Sequence, residues 1–306
     1  MSGKRVVLAG GSGFIGRSLS ACLLANGYEV VVLSRQPQNL AEGVVGVTWD
    51  GRTPGDWERW LDRAHAVINL SGKNVNCRYT AKNLHEIDQS RVDAVTAVGR
   101  IIAACKQPPK VLVQASTLAI YGDAGDRNCD ESAPLGEGIP VETATAWEAA
   151  FHAHPTPETK RVLFRISFVL GRDGGALATM ARLARCFLGG TIGNGRQYIS
   201  WIHPADLNQM FLWAIERDEV EGVYNATAPL AVTNAKFMRH LRRVLGRPWS
   251  PPTPAMAVRL GCFLLRTEPV LALTGRRGVP ARFVNQGFRF QFQDLEQALY
   301  DVLRPS

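Results

Sequence analysis

The chain has 306 residues and a mass of 33.5 kDa, above the usual ~100 to 200 residues of one domain, which leaves room for one large unit or two modest ones around a substantial core. Its 46% hydrophobic and 20% charged residues, with a mean hydropathy of -0.06, exclude disordered and collagenous chains. A net charge of +8 admits nucleic acid, an anionic small ligand or a generally basic surface, and does not choose among them.

The most apolar C-terminal stretch, Pro254 to Leu265, falls short of the ~18 to 20 residues of a membrane span and contains Arg259, so no membrane helix is expected. At the N-terminus Lys4 and Arg5 precede an apolar run, but Gly10, Gly11, Gly13 and Gly16 interrupt it, and the start at Met1 reads as mature and cytoplasmic rather than as a signal peptide. Cys22, Cys77, Cys105, Cys129, Cys186 and Cys262 are widely spaced, with no zinc, redox or disulfide pattern, and no metal site is expected.

In chain order, Arg5 to Ala9 is a strand, and Ile15 to Asn26 carries apolar residues at helical spacing, closed by Gly27. Strands follow at Glu29 to Leu33, Val45 to Trp49 and Ala66 to Leu70. A long helix runs from Ala81 to Cys105, a fifth strand from Lys110 to Ala115, a helical stretch from Trp147 to His152, and one long sixth strand from Arg161 to Leu170. After Gly171 come glycine-rich loops, a helix at Pro204 to Glu216, a short strand at Gly222 to Ala226, two helical segments between proline-rich joints, and a last helix near Leu295 to Val302. Arg239, Arg242, Arg243 and Arg247 share a helical pattern with Phe237, Leu241 and Val244, the solvated face of an amphipathic helix.

Strands that are apolar throughout, alternating with helices, predict a doubly wound α/β fold with a parallel sheet covered on both faces. The expected division is a dinucleotide-binding domain over residues 1–170, completed by about 200–228, and a smaller, mostly helical domain from 171–199 and 229–306.

Directly after the first strand stands GGSGFIG, with Gly10, Gly13 and Gly16 at three-residue intervals and Phe14 and Ile15 opening the helix. Glycines there let the backbone turn tightly and approach a pyrophosphate, whose charge is stabilised by free N–H groups at the helix N-terminus. The second strand ends at Ser34 and Arg35, where an acidic residue would accept from a ribose 2′-hydroxyl. Arg35 instead offers donors to a 2′-phosphate and predicts NADP over NAD, unless it is an ordinary loop cation.

Taken in order, GGSGFIG, VINLSG, Ser90-Arg91, SFVLGRDGGAL, GNGRQYISWIHPADL, NATAP and GFRF resemble the short-chain dehydrogenase/reductase superfamily. More narrowly they resemble its atypical extended branch of epimerase-family proteins, a Rossmann domain followed by a C-terminal domain of unknown function. That resemblance implies NADP(H) contacts from Ser34, Arg35, Leu70, Ser71, Glu86 and Arg91, with Ser116 beside them at the end of the fifth strand. Glu86 and Arg91 stand five residues apart on one helix, so a surface ion pair is an equal alternative.

The superfamily moves protons with a Tyr and a Lys four residues on. Here Tyr28, Tyr79, Tyr121, Tyr198, Tyr224 and Tyr300 are followed at that spacing by Val32, Asn83, Gly125, Ile202, Ala228 and Arg304, and the place of the pair reads VETATAWEAAF, with Trp147 and Glu148. The remaining candidates are Thr117, which either meets a substrate carbonyl or caps the strand end; Tyr121, whose pKa should stay near ~10 without a cation beside it; and His203. Arg196 and Gln197 are candidates for an anionic substrate group, with Trp201 in the same pocket segment, and Glu148 either replaces the lost base or, the favoured reading, pairs with a basic neighbour.

The expected function is an NADP(H)-dependent oxidoreductase or epimerase of a small, anionic metabolite. The alternative is an NADPH-responsive regulator or scaffold that lost the chemistry. Neither nucleic acid nor membrane is an expected partner, and a homodimer would form through Ala81 to Cys105 and Thr143 to His152.

Overall fold

The computed structural model describes residues 4–247, 249–264 and 266–304; Met1 and Leu265, each named above, lie outside them. Three βα units build the first half. Strand β1 (Arg5–Ala9) leads into helix α1 (Phe14–Ala25), and β2 (Glu29–Ser34) and β3 (Val44–Thr48) follow. Strand β4 (Ala66–Asn69), helix α2 (Ala81–Ala104) and strand β5 (Val111–Thr117) come next, β5 running into a 3₁₀ turn at Leu118–Tyr121. Then come β6 (Asn128–Cys129), α3 (Ile139–Ala153), β7 (Lys160–Ile166), β8 (Phe168–Val169) and α4 (Gly175–Arg185).

The second half holds β9 (Tyr198–Ile199), β10 (Trp201–Ile202), α5 (Pro204–Glu216), β11 (Gly222–Ala226), β12 (Val232–Thr233) and α6 (Asn234–Val244). It ends with α7 (Ala255–Leu264), α8 (Val270–Leu273), β13 (Arg277–Gly278), α9 (Ala281–Asn285) and α10 (Leu295–Leu303).

Seven strands form one sheet in the order β11-β7-β5-β4-β1-β2-β3, with every pairing parallel. Parallel neighbours require crossovers, and helices supply them on both faces, so the central strands are buried on two sides: β1, β2 and β4 are almost wholly inaccessible. This is the doubly wound, Rossmann-type sheet that the strand pattern predicts. The chain reverses its direction of winding between β1 and β4, which opens a crevice at the carboxyl ends of those strands.

A single long strand from Arg161 to Leu170 does not form. Ser167 breaks it: β7 ends at Ile166, Ser167 N donates to Ala226 O at 3.0 Å, and β8 pairs with β10 in a separate two-stranded ribbon. The apolar run is continuous, but its partner changes midway. Helix α3 also begins earlier than the Trp147 start predicted for it, at Ile139 with Pro140 in its first turn, where a missing N–H costs nothing.

A second core stands apart from the sheet's. Leu170, Leu177, Trp201, Phe237, Leu241 and Leu299 are among its buried members, drawn from just after β8, from β10 and from α4, α6 and α10. The arginines of α6 lie on its outer side and serve local ends: Arg243 Nη1 reaches Glu296 Oε2 at 2.8 Å, and Arg242 Nη1 donates to Gly189 O at 2.8 Å. Among the described residues no helix is long and apolar enough to cross a membrane, and no three His, Cys, Asp or Glu side chains converge as for a metal ion.

Asp206, in the first turn of α5, ties the two cores together. It is 1% exposed, and its Oδ1 and Oδ2 accept from Gln291 N at 2.7 Å and Phe292 N at 3.0 Å. Burial pushes its pKa up, while those two bonds oppose the shift. An Asp206→Ala variant leaves both N–H groups without their acceptor and should lose about 2–4 kcal/mol, read as a lower urea midpoint with an unchanged slope.

Candidate functional site

The turn between β1 and α1 is set by close approach. Gly10 has φ +75°, a conformation that L side chains rarely adopt, and a Cβ there would lie 2.8 Å from the Ser71 backbone. At Gly16 a Cβ would lie 2.2 Å from Gly11 O, so helix and turn touch backbone to backbone. Gly13 is different. A Cβ there would meet only Gly10 O at 3.7 Å, so protein packing does not demand glycine at this position.

Gly13 caps α1 without a side chain, and no acidic residue stands in the first turn. The helix therefore presents uncapped N–H groups and the positive end of its dipole to open space. The Phe14 ring turns the other way, under Gly171 and Gly174, where a Cβ would approach to 2.4 and 2.9 Å, while Ile15 packs against the sheet core.

At the end of β2, Ser34 Oγ and Ser12 Oγ share a hydrogen bond of 2.7 Å, and Arg35 follows, exposed. Ser12 went unnoticed in the sequence, where only the glycines around it carry a spacing signal. After β4, Leu70 N donates to Ala9 O at 2.8 Å, which holds Leu70 and Ser71 against the glycine turn. Ser71 Oγ is shut off from solvent and has no partner among the described residues.

Glu86 and Arg91 do not pair with each other. Glu86 takes the Lys73 ammonium, which holds its carboxyl below the usual range. Arg91 is 9% exposed; its Nη1 donates to Lys73 O and Ile87 O, each at 3.0 Å, and its guanidinium lies 4.8 Å over the Trp147 ring. Among the described residues Arg91 has no carboxylate partner within ion-pair distance, and burial pushes its pKa down.

Beyond the glycine turn, Ser116, Arg165 and Asn225 stand in register on β5, β7 and β11. Ser116 Oγ donates to Glu148 Oε1 at 2.7 Å. Arg165 Nε and Nη2 grip the same carboxylate at 3.0 and 2.8 Å, and Nη1 donates to the Tyr121 hydroxyl at 2.9 Å. That hydroxyl lies 2.8 Å from Asp130 O and 2.9 Å from Asn225 Oδ1, two acceptors for its single proton. Glu148 thus pairs with a base. Tyr121, expected to have no cation beside it, has Arg165; its pKa nevertheless rises, because burial outweighs the charge.

The remaining candidates make local contacts. Thr117 Oγ1 accepts from Ala119 N at 3.1 Å and caps the 3₁₀ turn. His203 caps α5: Nδ1 accepts from Ala205 N at 3.1 Å, so Nε2 carries the proton toward Asp301 Oδ2 at 3.1 Å, and the ring stacks on Phe292. It is a joint between the cores rather than a cleft acid, and burial pushes its pKa below the usual value.

Trp201, expected in the substrate pocket, is wholly buried in the second core, with Nε1 donating to Leu230 O at 2.9 Å. Gln197 Nε2 is taken up by Ile192 O and Ala272 O at 3.1 and 3.2 Å, and Arg196 is exposed on a turn. The anion-holding role expected of Arg196 and Gln197 has no converging geometry.

The fold and this crevice are those of a dinucleotide-binding domain. The family model for the NAD dependent epimerase/dehydratase family matches residues 6–227, and that of a domain of unknown function, DUF1731, matches residues 253–302; the chain belongs to this epimerase/dehydratase family. It is similar over almost its whole length to epimerase family protein SDR39U1 of Bos taurus (36% identity, 98% of this chain and 99% of that one). Epimerase family protein YfhF of Bacillus subtilis is 34% identical over 97% of each chain. The crystal structure of human epimerase family protein SDR39U1 (isoform 2) with NADPH superposes with a TM-score of 0.87 at 32% identity, covering 99% of this chain and 100% of that one.

The residues present fit a dinucleotide. An uncapped helix N-terminus faces open space at Gly13, serine hydroxyls and an arginine close the end of β2, and a partnerless hydroxyl lies at Ser71. The two glycines should separate by experiment. Gly16→Ala should cost about 3 kcal/mol of stability through overpacking against Gly11 O, whereas Gly13→Ala should cost less than about 1 kcal/mol yet weaken nucleotide binding; urea unfolding and a fluorescence titration on the same samples read both.

The Arg165–Glu148 pair is equally testable. Arg165→Met strands a buried carboxylate and should cost about 3–5 kcal/mol, and adding Glu148→Gln should restore at least about 2 kcal/mol, as a double-mutant cycle measures.

Proposed function

We propose that the chain is an NADP(H)-binding oxidoreductase or epimerase acting on a small metabolite without the Tyr and Lys pair of its superfamily. One observation carries the cofactor assignment: β2 ends in Ser34 and an exposed Arg35, with no carboxylate to accept from a ribose 2′-hydroxyl, beside the uncapped end of α1. A guanidinium there matches a 2′-phosphate, and the relative whose crystal structure holds NADPH supports the same choice.

When bound, the nicotinamide supplies or accepts hydride. The chain's own contribution is orientation and hydrogen bonding. Thr117 Oγ1 accepts from Ala119 N, which leaves its hydroxyl proton free to donate toward a substrate oxygen at the end of β5. Tyr121 is engaged by three partners and buried, so it holds the wall of the cleft rather than exchanging a proton.

A regulator or scaffold that binds NADPH without turnover is the second reading, favoured by a separate observation, that Arg165 and Glu148 neutralise each other inside the cleft wall. Incubation of the NADPH-loaded protein with aldehydes, ketones and sugar nucleotides separates the two. Cofactor oxidation above a protein-free control supports the enzyme, and its absence with retained binding supports the regulator.

Arg35→Ala should weaken NADPH about tenfold at low ionic strength, the loss of roughly 1.4 kcal/mol from one charge-assisted contact, and leave NADH unchanged. Fluorescence transfer from tryptophan to the reduced nicotinamide measures both affinities. Equal losses for the two nucleotides would remove Arg35 from the 2′-phosphate site.

A further inference from the structure

The opposite edge of the sheet carries its own constellation. Four adjacent strands, in the order β7-β5-β4-β1, are each entered through a basic residue: Lys160 opens β7, and Lys110, His65 and Lys4 immediately precede β5, β4 and β1. With neighbouring strands ~4.8 Å apart, the row spans on the order of 15 Å. These four side chains line a recess of about 440 Å³ with Glu216 and Asp218 on its other wall.

Helix dipoles explain part of this row. Crossover helices run antiparallel to the strands, so their carboxyl ends, with partial negative charge, meet this edge. Lys160 serves that purpose: its Nζ donates to Ala214 O at 3.0 Å and also to Arg217 O, at the end of α5. Lys4 and Lys110 do not. Both are exposed, and neither ammonium has a hydrogen bond among the described residues.

His65 lies between them. Its ring stacks on Tyr28, its Nε2 is shut off from solvent, and the imidazole is held at the Ile215 backbone near the end of α5, so it packs the floor of the recess. Burial and the neighbouring Lys4 and Lys110 push its pKa down, against the Ile215 bond and the Glu216 charge. Across the recess, Glu216 Oε1 accepts from the Tyr28 hydroxyl at 3.0 Å, which fixes the carboxylate and leaves its other oxygen as an acceptor.

One side of the recess therefore offers cationic donors and the other offers acceptors. A bare polyanion meets repulsion from Glu216 and Asp218, and a neutral polyol leaves two ammoniums unused. The volume falls within the ~300 to 1,000 Å³ of small-molecule sites and is too large for a lone phosphate. We propose that this recess is a second ligand site, which takes a phosphorylated polyol: phosphate between Lys4 and Lys110, hydroxyls against Glu216 and Asp218. It lies a strand length from the Gly10 to Gly16 turn, and it does not rest on the nucleotide assignment.

The test is calorimetric titration of the full chain at low ionic strength, with and without NADPH, using glucose 6-phosphate, inorganic phosphate and glucose as probes. Glucose 6-phosphate should bind in both states, at least tenfold more tightly than inorganic phosphate, and glucose should give no heat. Lys110→Ala should weaken glucose 6-phosphate at least tenfold, and the milder Lys110→Gln should do the same at an exposed position where the fold is not at stake. Asp218→Ala should weaken glucose 6-phosphate but not inorganic phosphate, with partial recovery in Asp218→Asn. Arg239→Ala removes the same charge from the exposed side of α6 and should change nothing. Absence of binding overturns the proposal, as does equal affinity for the two phosphates or an equal loss in Arg239→Ala.

Discussion

A guanidinium buried in the sheet cannot be left incomplete, and much of this molecule is arranged around completing one. Arg165 is 7% exposed on a central strand, and its Nε, Nη1 and Nη2 each have a partner on a different part of the chain from its own strand. Desolvating such a charge costs several kcal/mol, recovered only with close geometry and with every remaining polar group engaged. The requirement propagates. Glu148 must come from α3, which fixes that helix against β5 through Ser116; Tyr121 must come from the 3₁₀ turn, and Asn225 from β11. Asn225 passes the constraint on, since its N–H donates to Glu131, whose carboxylate also accepts from Arg282 N in the C-terminal segment.

That arrangement has chemical consequences. A cation beside a tyrosine is the usual means of making a phenol reactive, yet here the cation is neutralised by Glu148 and the phenol is buried among its own acceptors. The network stabilises a wall. What remains around the crevice without a carboxylate partner, among the described residues, is a set of donors: the first turn of α1, Arg35 and Arg91, the last held by two backbone carbonyls. Such a surface complements a ligand that carries several negative charges, and it does so with groups already held in place by backbone contacts at Ser71 and Lys73.

How much of this could be read from the chain depends on the range of the forces involved. The βα alternation and the glycine turn were legible because the hydrophobic pattern and backbone sterics act over a few residues. Gly11 was not, although its carbonyl is what forbids a side chain at Gly16, because that contact depends on how the turn packs on the helix. The break at Ser167 was hidden within an apolar run whose partners change only in three dimensions. Trp201 and His203 show the same limit: burial in the second core and an N-cap bond to Ala205 decide what they do, and neither is visible in their local sequence. Arg165 did leave a trace, as a charge following the apolar run Val162 to Phe164 within a strand, where such residues are almost never buried without a partner.

Parallel topology also explains why the two ends of the sheet look so different. Every crossover points its helix the same way, so amino ends gather at one edge and carboxyl ends at the other. At the first edge bare N–H groups suffice to attract an anion, and the chain keeps glycine where a side chain would intrude. At the second edge the helix ends repel anions, so a site there must bring its own positive charge. The residues entering β7, β5, β4 and β1 do this at adjacent positions because strand starts are aligned across the sheet. Lys160 is taken up by the helix end it faces, and the charge left over at Lys4 and Lys110 is what makes that edge more than a cap.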